Sequence, residues 1–400
     1  MGFQPVGALF LSVQYNHSMS GNRNLGTAKV AKNDEFYTTL ADVESEMKYY
    51  KKHFKGKVVL CNCDDPFESA FFKYFVLNFN RLQLKKLICT CYAGSQVAFE
   101  QLSLLDTPYV VEAQKKTPYK AVVTTVHDAD NDGYINMTDI KKLFVSGENK
   151  LSKLKGNGDF RSKECLKLLD ESDIVCTNPP FSLFREYLGT LMNHHKKFII
   201  MGNSNAITYK EVFPLMMNNE VWLGNHNGHT WFRMPDNYEI PDNYLNEDRK
   251  KMRSNGYWID EDGHKWRNLG NICWFTNLDI KKRHEELLCY KTYDPQRYPK
   301  YANFDGIEVN NVNDIPADYD GLIGLPITFM NKYNPRQFKI IGYSRDVATP
   351  IKQIAKPGDK YEQGGNAFYI RTDGHTLKRL YGRVVVKRIA KSEEGISDEN

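Results

Sequence analysis

Between residues 56 and 224, short apolar runs alternate with amphipathic stretches. KVVLCNC (57–63), LKKLICTCY (84–92), the run ending in SDIVCT (172–177) and KKFIIMGN (196–203) have the length and composition of buried strands. PFESAFFKYFVLNF (66–79), SLFREYLGTLMNHH (182–195) and YKEVFPLMMNN (209–219) repeat apolar positions at helical spacing, and EVWLGN (220–225) reads as a further short strand. Strands that alternate with helices predict an α/β chain with a mostly parallel sheet covered on both faces. Two β-rich runs follow, GHTWFRMP (228–235) and NICWFTNL (271–278). The polar stretch between them, rich in Asn, Asp and Arg, reads as a loop or lid.

After Asp279 the texture changes. Pro and Tyr become frequent, and short strands are predicted at GLIGLPITFM (321–330), FKIIGY (338–343), NAFYIRT (366–372) and GRVVVKRI (382–389). The chain of 400 residues has room for two domains. The pattern divides it into a tail (1–33), an α/β domain (34–278), a β-rich region (279–391) and an acidic end (392–400). Met19 opens a polar stretch and is a second candidate start.

The net charge of +5 decides nothing until it is divided. Residues 330–391 hold 14 Lys or Arg against 4 Asp or Glu, a balance of +10. Residues 392–400 carry −4, and the remainder sums to −1. A clustered cationic segment is either a solvated surface or a phosphate-binding one, because counterion release makes such clusters the main source of nucleic-acid affinity. Arg379, Arg383, Lys387 and Arg388 are the candidate phosphate contacts. No stretch approaches the roughly 18 consecutive apolar residues of a membrane span, so no membrane partner is expected.

Eight cysteines are too few for a disulfide scaffold. Cys61 and Cys63, and Cys89 and Cys91, close two apolar runs. Their one-residue gap is shorter than the usual zinc spacing, so they read as buried, reduced thiols in a cytoplasmic protein.

The chemistry centres on Asn178-Pro179-Pro180-Phe181, where the apolar run 173–177 ends and a helix begins. In open α/β sheets, ligands bind beyond the carboxyl ends of strands. Consecutive prolines fix the backbone and remove two N–H donors. An amide oxygen beside a rigid main-chain carbonyl can accept both hydrogens of a planar amino group. As that nitrogen attacks an electrophile its positive charge grows, so fixed acceptors stabilise the transition state more than the ground state. Phe181 offers a flat wall for the ring that bears the amino group. The bland reading is a proline turn capped by Asn.

Asn-Pro-Pro-aromatic resembles the catalytic motif of amino-group methyltransferases that use S-adenosylmethionine. Further segments resemble the EcoRI-type adenine-specific DNA methyltransferases: NDEFYT (33–38), VVLCNCDDPFESAFFKYF (58–75), KGNGDFRS (155–162), DIVCTNPPFSLFREYL (173–188), GNSNAITYKEVFP (202–214), LGNICWFTNLDIKKRHE (269–285) and GLPITFMNKYNPRQFKIIG (324–342). The resemblance implies a Rossmann-like methyltransferase domain and a β-rich C-terminal DNA-recognition region. It implies catalytic roles for Asn178, Pro179, Pro180 and Phe181. It implies cofactor contacts from Asp34, Phe36, Tyr37 and Thr38, from Cys61, Asn62, Asp64, Asp65 and Pro66, and from Asp159 and Phe160, the last two at the cofactor adenine. The first strand lacks the Gly-rich loop common among methyltransferases, and Asp65 is a candidate for the ribose.

The implied reaction is methyl transfer to N6 of an adenine flipped out of double-stranded DNA, in restriction–modification or phage and host DNA protection. A cognate restriction endonuclease would act on the same site without direct contact. Trp231 and Phe232, or Trp274 and Phe275, are candidates for a second wall around the flipped base, with core the preferred reading of Trp274. No base or nucleophile is needed, because the amino nitrogen attacks directly. The alternatives are an RNA or protein-glutamine methyltransferase, or a DNA-binding protein without catalysis.

DADNDGYINMTD (128–139) is a separate signal. Asp128, Asp130 and Asp132 stand at positions 1, 3 and 5 of a calcium-type loop, Gly133 at 6, Ile135 at 8 and Asp139 at 12. A structural Ca2+ is one expectation, a solvated acidic turn the other.

Overall fold

Strand β1 (Val58–Cys61) is buried along its whole length, as a run without polar alternation requires. In the computed structural model it lies inside a nine-stranded mixed sheet. The structure describes residues 38–63, 69–91, 118–129, 131–234, 238–241, 244 and 249–389. The expected tails at 1–33 and 392–400 lie outside them, as do Asp34, Phe36, Tyr37, Asp64, Asp65, Pro66 and Asp130.

In chain order, helix α1 (Leu40–Met47) precedes β1, and α2 (Ala70–Leu77) leads to β2 (Lys86–Thr90). Then come β3 (Tyr119–Val123), α3 (Met137–Lys142), β4 (Lys150–Lys153), α4 (Lys163–Glu171), β5 (Ile174–Thr177), α5 (Phe184–Asn193), β6 (Lys197–Asn203) and α6 (Phe213–Met217). The sheet ends with β7 (Trp222–Arg233), α7 (Arg249–Ser254), β8 (Tyr257–Ile259) and β9 (Lys265–Thr276). Its order is β4-β3-β2-β1-β5-β6-β9-β7, with β8 paired to β9. β2, β1, β5 and β6 are parallel. β3, β4, β9 and β7 join antiparallel, so the sheet is mixed rather than mostly parallel.

The alternation of side chains sorts the strands onto two cores. Val58, Leu60, Val175, Phe198 and Ile200 face α4 and α5, which add Leu168, Leu169, Leu188 and Leu191. Val59, Ile174, Ile199 and Met201 face α1 and α2, which add Val43, Met47, Phe71, Phe72 and Phe75. Both faces are therefore covered, as the pattern predicts. Ser69 starts α2 by accepting the Phe72 N–H at 3.1 Å, so the helix begins four residues later than the apolar pattern suggests. Among the described residues no helix is long and apolar enough to cross a membrane.

The segment between the two β-rich runs is not a simple loop. EVWLGN and GHTWFRMP form one strand, β7, because irregularities between Leu223 and Asn227 and between Gly228 and Thr230 absorb the polar interruption. Gly228 sits at φ +125°, where an L side chain is strained. β7 and β9 are each twelve residues long and form a ribbon with β8.

After β9 a four-stranded sheet has the order β10-β11-β16-β12 and a three-stranded one the order β13-β15-β14. The strands are β10 (Ile307–Glu308), β11 (Ile323–Pro326), β12 (Phe338–Tyr343), β13 (Lys360–Tyr361), β14 (Tyr369–Arg371), β15 (Thr376–Arg379) and β16 (Arg383–Arg388). Phe329, Phe338, Ile340, Val384 and Val386 join the same core as Phe198 and Leu191, so the β-rich part packs continuously onto the first sheet.

Candidate active site

From β1 the chain first goes outward to β2 and later returns to the other side of β1 as β5. Such a reversal opens a crevice at the carboxyl ends of the two strands. Asn62 and Cys63 leave β1 there, and Asn178 leaves β5 beside them. The Thr177 hydroxyl ties the two ends by accepting the Cys63 N–H at 3.3 Å.

Asn178 is half-buried and its orientation is set from outside its own strand. Its Nδ2 donates to Thr38 Oγ1 at 3.3 Å, and Thr38 Oγ1 donates to Met201 Sδ at 3.2 Å. The amide nitrogen thus faces Thr38, and the oxygen lies at the other end of the group. Pro179 is buried and Pro180 half-buried at φ −55°, ψ 123°. The Pro180 carbonyl accepts the Leu183 N–H at 3.0 Å and starts the turn into α5. Phe181 is half-buried and packs against the core on the α1 and α2 side.

Among the described residues, Asn62, Asp159 and Phe160 gather at the same edge. Asn62 is buried, and its Oδ1 accepts the Tyr187 hydroxyl of α5. Phe160 is buried edge-on to Tyr187, with ring centroids 5.0 Å apart. Gly158, at φ +78°, presses its backbone on the end of β2; a Cβ there would lie 2.1 Å from the Cys91 carbonyl oxygen. That close approach brings Asp159 to the crevice. Asp159 is held by Arg161, whose Nη2 lies 2.5 Å from Oδ2, and these bonds keep its carboxyl below the usual carboxylate range. The side chain of Cys61 instead lies in the core, with Cys89 as its register partner.

Gly158→Ala is expected to cost about 1–3 kcal/mol from the backbone conformation alone, with the carbonyl clash added. Urea unfolding should show the lower midpoint, and cofactor affinity should fall with it.

Two residues escaped the sequence reading. Tyr187 shares a helix face with Phe184, Leu188 and Leu191 and so reads as plain core. Glu46 is fully buried, yet its carboxylate accepts the N–H groups of Asn225 (2.7 Å) and His226 (2.8 Å) and the Tyr50 hydroxyl (2.7 Å). Lys282 Nζ donates to the Gly224 and Asn225 carbonyls at 3.1 and 2.8 Å. The Glu46 bonds pin α1, and with it Thr38, to the irregular part of β7, and Lys282 braces the same backbone. An acid inside an amphipathic helix offers no sequence signal for such a role.

The cysteines carry no catalytic signal. All eight cysteines are reduced thiols, and burial pushes the Cys176 and Cys273 thiols up, so they stay neutral. Among the described residues they form no metal-ligand cluster.

Several expectations change. Phe232, Trp274 and Phe275 are buried core residues, so they are not walls of a base pocket; Trp231 remains half-buried. Arg383 is buried, and its Nη2 lies 2.6 Å from Glu308 Oε1. A guanidinium so enclosed cannot reach a phosphate, and the expectation of DNA contact is withdrawn for it. Arg388 is half-buried, with Nη1 donating to the Pro316 carbonyl at 3.0 Å and to the Ala317 carbonyl. Arg379 is half-buried against Gly364, and Lys387 is exposed.

In the Asp-rich loop, Asp128 accepts the Asp132 and Gly133 N–H groups, and Asp132 accepts that of Tyr134. Asp139 is buried and accepts the N–H groups of Ala129 (2.6 Å) and Asn136 (2.8 Å), completing a capping box on α3. Backbone donors therefore satisfy these carboxylates without a cation, and the calcium expectation has no support beyond spacing.

The chain matches the family model "Adenine-specific methyltransferase EcoRI" over residues 24–389. It is 43% identical over 330 residues to the Type II methyltransferase M.EcoRI of Escherichia coli, covering 82% of this chain and 90% of that protein. It is 33% identical over 369 residues to the Type II methyltransferase M.MgeORF184P of Mycoplasma genitalium (90% and 97%). It is 32% identical over 364 residues to the Type II methyltransferase M.MpnI of Mycoplasma pneumoniae (90% and 97%). No solved structure matches the chain.

Proposed function

The chain belongs to the EcoRI family of adenine-specific methyltransferases and is a type II DNA adenine methyltransferase, and from that premise we propose how its residues perform the reaction. The target is N6 of an adenine flipped out of double-stranded DNA into the crevice between β1 and β5. The observation that carries this is the placement of Asn178 at the carboxyl end of β5, with its amide nitrogen held by Thr38.

Asn178 Oδ1 accepts one hydrogen of the adenine amino group. Because Leu183 takes the Pro180 carbonyl, the Pro179 carbonyl is assigned the other. As the nitrogen lone pair is drawn toward an electrophile, both N–H bonds polarise, and the two rigid acceptors stabilise the growing charge without reorganising. Phe181 stacks on the adenine ring.

S-adenosylmethionine, when bound, supplies an electrophilic methyl on a positively charged sulfur. The crevice suits such a cation. Asp159 stays ionised there as the partner of Arg161, Asn62 is a buried polar side chain at the mouth, and Gly158 lets the chain approach the end of β2. Thr38, Asn62, Asp159 and Phe160 would hold it. Asp34, Phe36, Tyr37, Asp64, Asp65 and Pro66 flank them in sequence. The order β2-β1-β5-β6 with antiparallel β9 supports the Rossmann-like reading of 34–278.

Region 279–391 is assigned to DNA recognition. In its four-stranded sheet Lys339 lies directly opposite Lys387, and both are exposed. Like charges facing each other across strands are destabilising, and a polyanion removes that repulsion. Lys339→Ala combined with Lys387→Ala is expected to lower the salt slope of DNA binding by about two without loss of stability. An unchanged slope across a salt titration returns this face to an ordinary solvated surface.

Restriction–modification is the setting the relatives' type II names support, with a cognate endonuclease acting on the same site. The reduced thiols fit a reducing cytoplasm. Methylation-sensitive sequencing of a host that expresses the protein tests the reaction. N6-methyladenine at one sequence motif is the expected result, and DNA without modified adenine overturns it.

A further inference from the structure

We propose that the arm built from β7, β8 and β9 is a stacking platform that grips DNA beside the flipped adenine, an inference that rests on the DNA reading above. Its position follows from register. β6 ends at Asn203, paired with Ile272 of β9. β7 and β9 stay paired beyond that point, out to Arg233 opposite Trp266. Strand therefore projects roughly 20 Å past the end of β6, at about 3.4 Å per residue. β1, β5 and β6 run parallel, so this is the edge that carries Asn62 and Asn178.

The two faces of the arm differ. One packs a small core of its own, with Met234, Tyr238, Ile240, Met252 and Tyr257 buried together. On the other face, Trp258 lies directly opposite Trp266, which lies opposite Arg233, two residues from Trp231. Opposed and alternate residues point the same way, so the three indoles share that face. Trp258 and Trp266 stack with centroids 5.7 Å apart, and Trp231 meets Trp258 edge-on at 6.2 Å. All three are half-exposed, although the chain has only five tryptophans.

Arg253 is exposed on α7, with its guanidinium 4.8 Å from the Trp258 centroid and 5.8 Å from that of Trp231. Aromatic rings with an arginine over them are the means by which proteins hold unstacked bases and their phosphates. The acids of the β8–β9 turn, Asp260, Glu261 and Asp262, sit farthest from the sheet, where Asp260 accepts the Trp266 Nε1–H at 2.8 Å. That bond orients the Trp266 ring. Arg253, over Trp258 and Trp231, and Arg233, opposite Trp266, are the cations of this face.

The test uses the full chain with Arg253→Ala, Trp258→Ala and Trp258→Phe. DNA affinity is measured across salt concentrations, together with single-turnover methylation and S-adenosylmethionine affinity. Arg253→Ala should lower the salt slope by about one. Trp258→Ala should weaken DNA binding by about 5- to 100-fold, and Trp258→Phe should recover most of it. Cofactor affinity should not change in any of them. Arg253 is exposed, so its result stands even where Trp258→Ala fails to fold. Wild-type methylation with unaltered affinity and slope in Arg253→Ala overturns the platform. A wild-type chain that binds cofactor but leaves DNA adenine unmodified overturns the underlying reading, and the platform with it.

Discussion

Asn178→Ala is expected to cut single-turnover methyl transfer by about 10³-fold or more, since removing one preorganised partner of a developing charge costs about 10²–10³ and the truncation also disturbs its neighbour. DNA affinity should stay near that of the wild type, because most duplex affinity comes from phosphate contacts outside the crevice. The outcome depends on which end of the amide meets the adenine. Thr38 Oγ1 holds the nitrogen, so the oxygen is the group assigned to the adenine. Asn178→Asp keeps an acceptor and should lose less than alanine. Thr38→Val removes the tether but leaves Asn178 in place, and a loss of about tenfold fits a misplaced rather than missing acceptor. The order Asn178→Ala, then Asn178→Asp, then Thr38→Val in rapid-quench assays is the signature. Near-normal transfer in Asn178→Ala removes the catalytic assignment.

Tetrapeptide and strand were both legible because their signals are local. Two prolines after an apolar run mark a strand end whatever surrounds them, and β1, β2, β5 and β6 are buried on both faces, so they read as unbroken apolar runs. The arm was legible only in pieces, for the opposite reason. β7 runs unbroken through His226-Asn227, between two runs predicted as separate strands, and β8 and the first residues of β9 lie in a stretch that reads as loop. β7 holds together there because Glu46, roughly 180 residues away in sequence, satisfies the irregular backbone. Pairing energy that comes from a distant carboxylate leaves no mark on the strand's own residues. Charge failed similarly at Arg383. Composition counts a cation but cannot say whether a partner acid, here Glu308, faces it.

Arg383→Ala is therefore expected to act on stability and not on DNA. Arg383 begins β16 and lies inside the second sheet. Its Nε and Nη2 reach both Glu308 oxygens at 2.6–3.0 Å, and the Tyr301 hydroxyl donates to Glu308 Oε2 at 2.5 Å. Removing the guanidinium leaves a buried carboxylate with one of its four hydrogen bonds. Breaking a buried pair from one side costs about 3–5 kcal/mol, whereas replacing both partners with apolar groups is often close to neutral. Arg383→Met with Glu308→Leu should thus recover most of what Arg383→Ala loses, provided Tyr301 is changed to Phe so that its hydroxyl is not stranded. Urea titrations should show the midpoint fall in the single variant and return in the triple, with an unchanged slope m. Below the denaturation range, both should bind DNA with the wild-type salt dependence, unlike the Lys339 and Lys387 pair. A stable Arg383→Ala protein whose salt slope drops by one would reverse this assignment and put the side chain back on the phosphate.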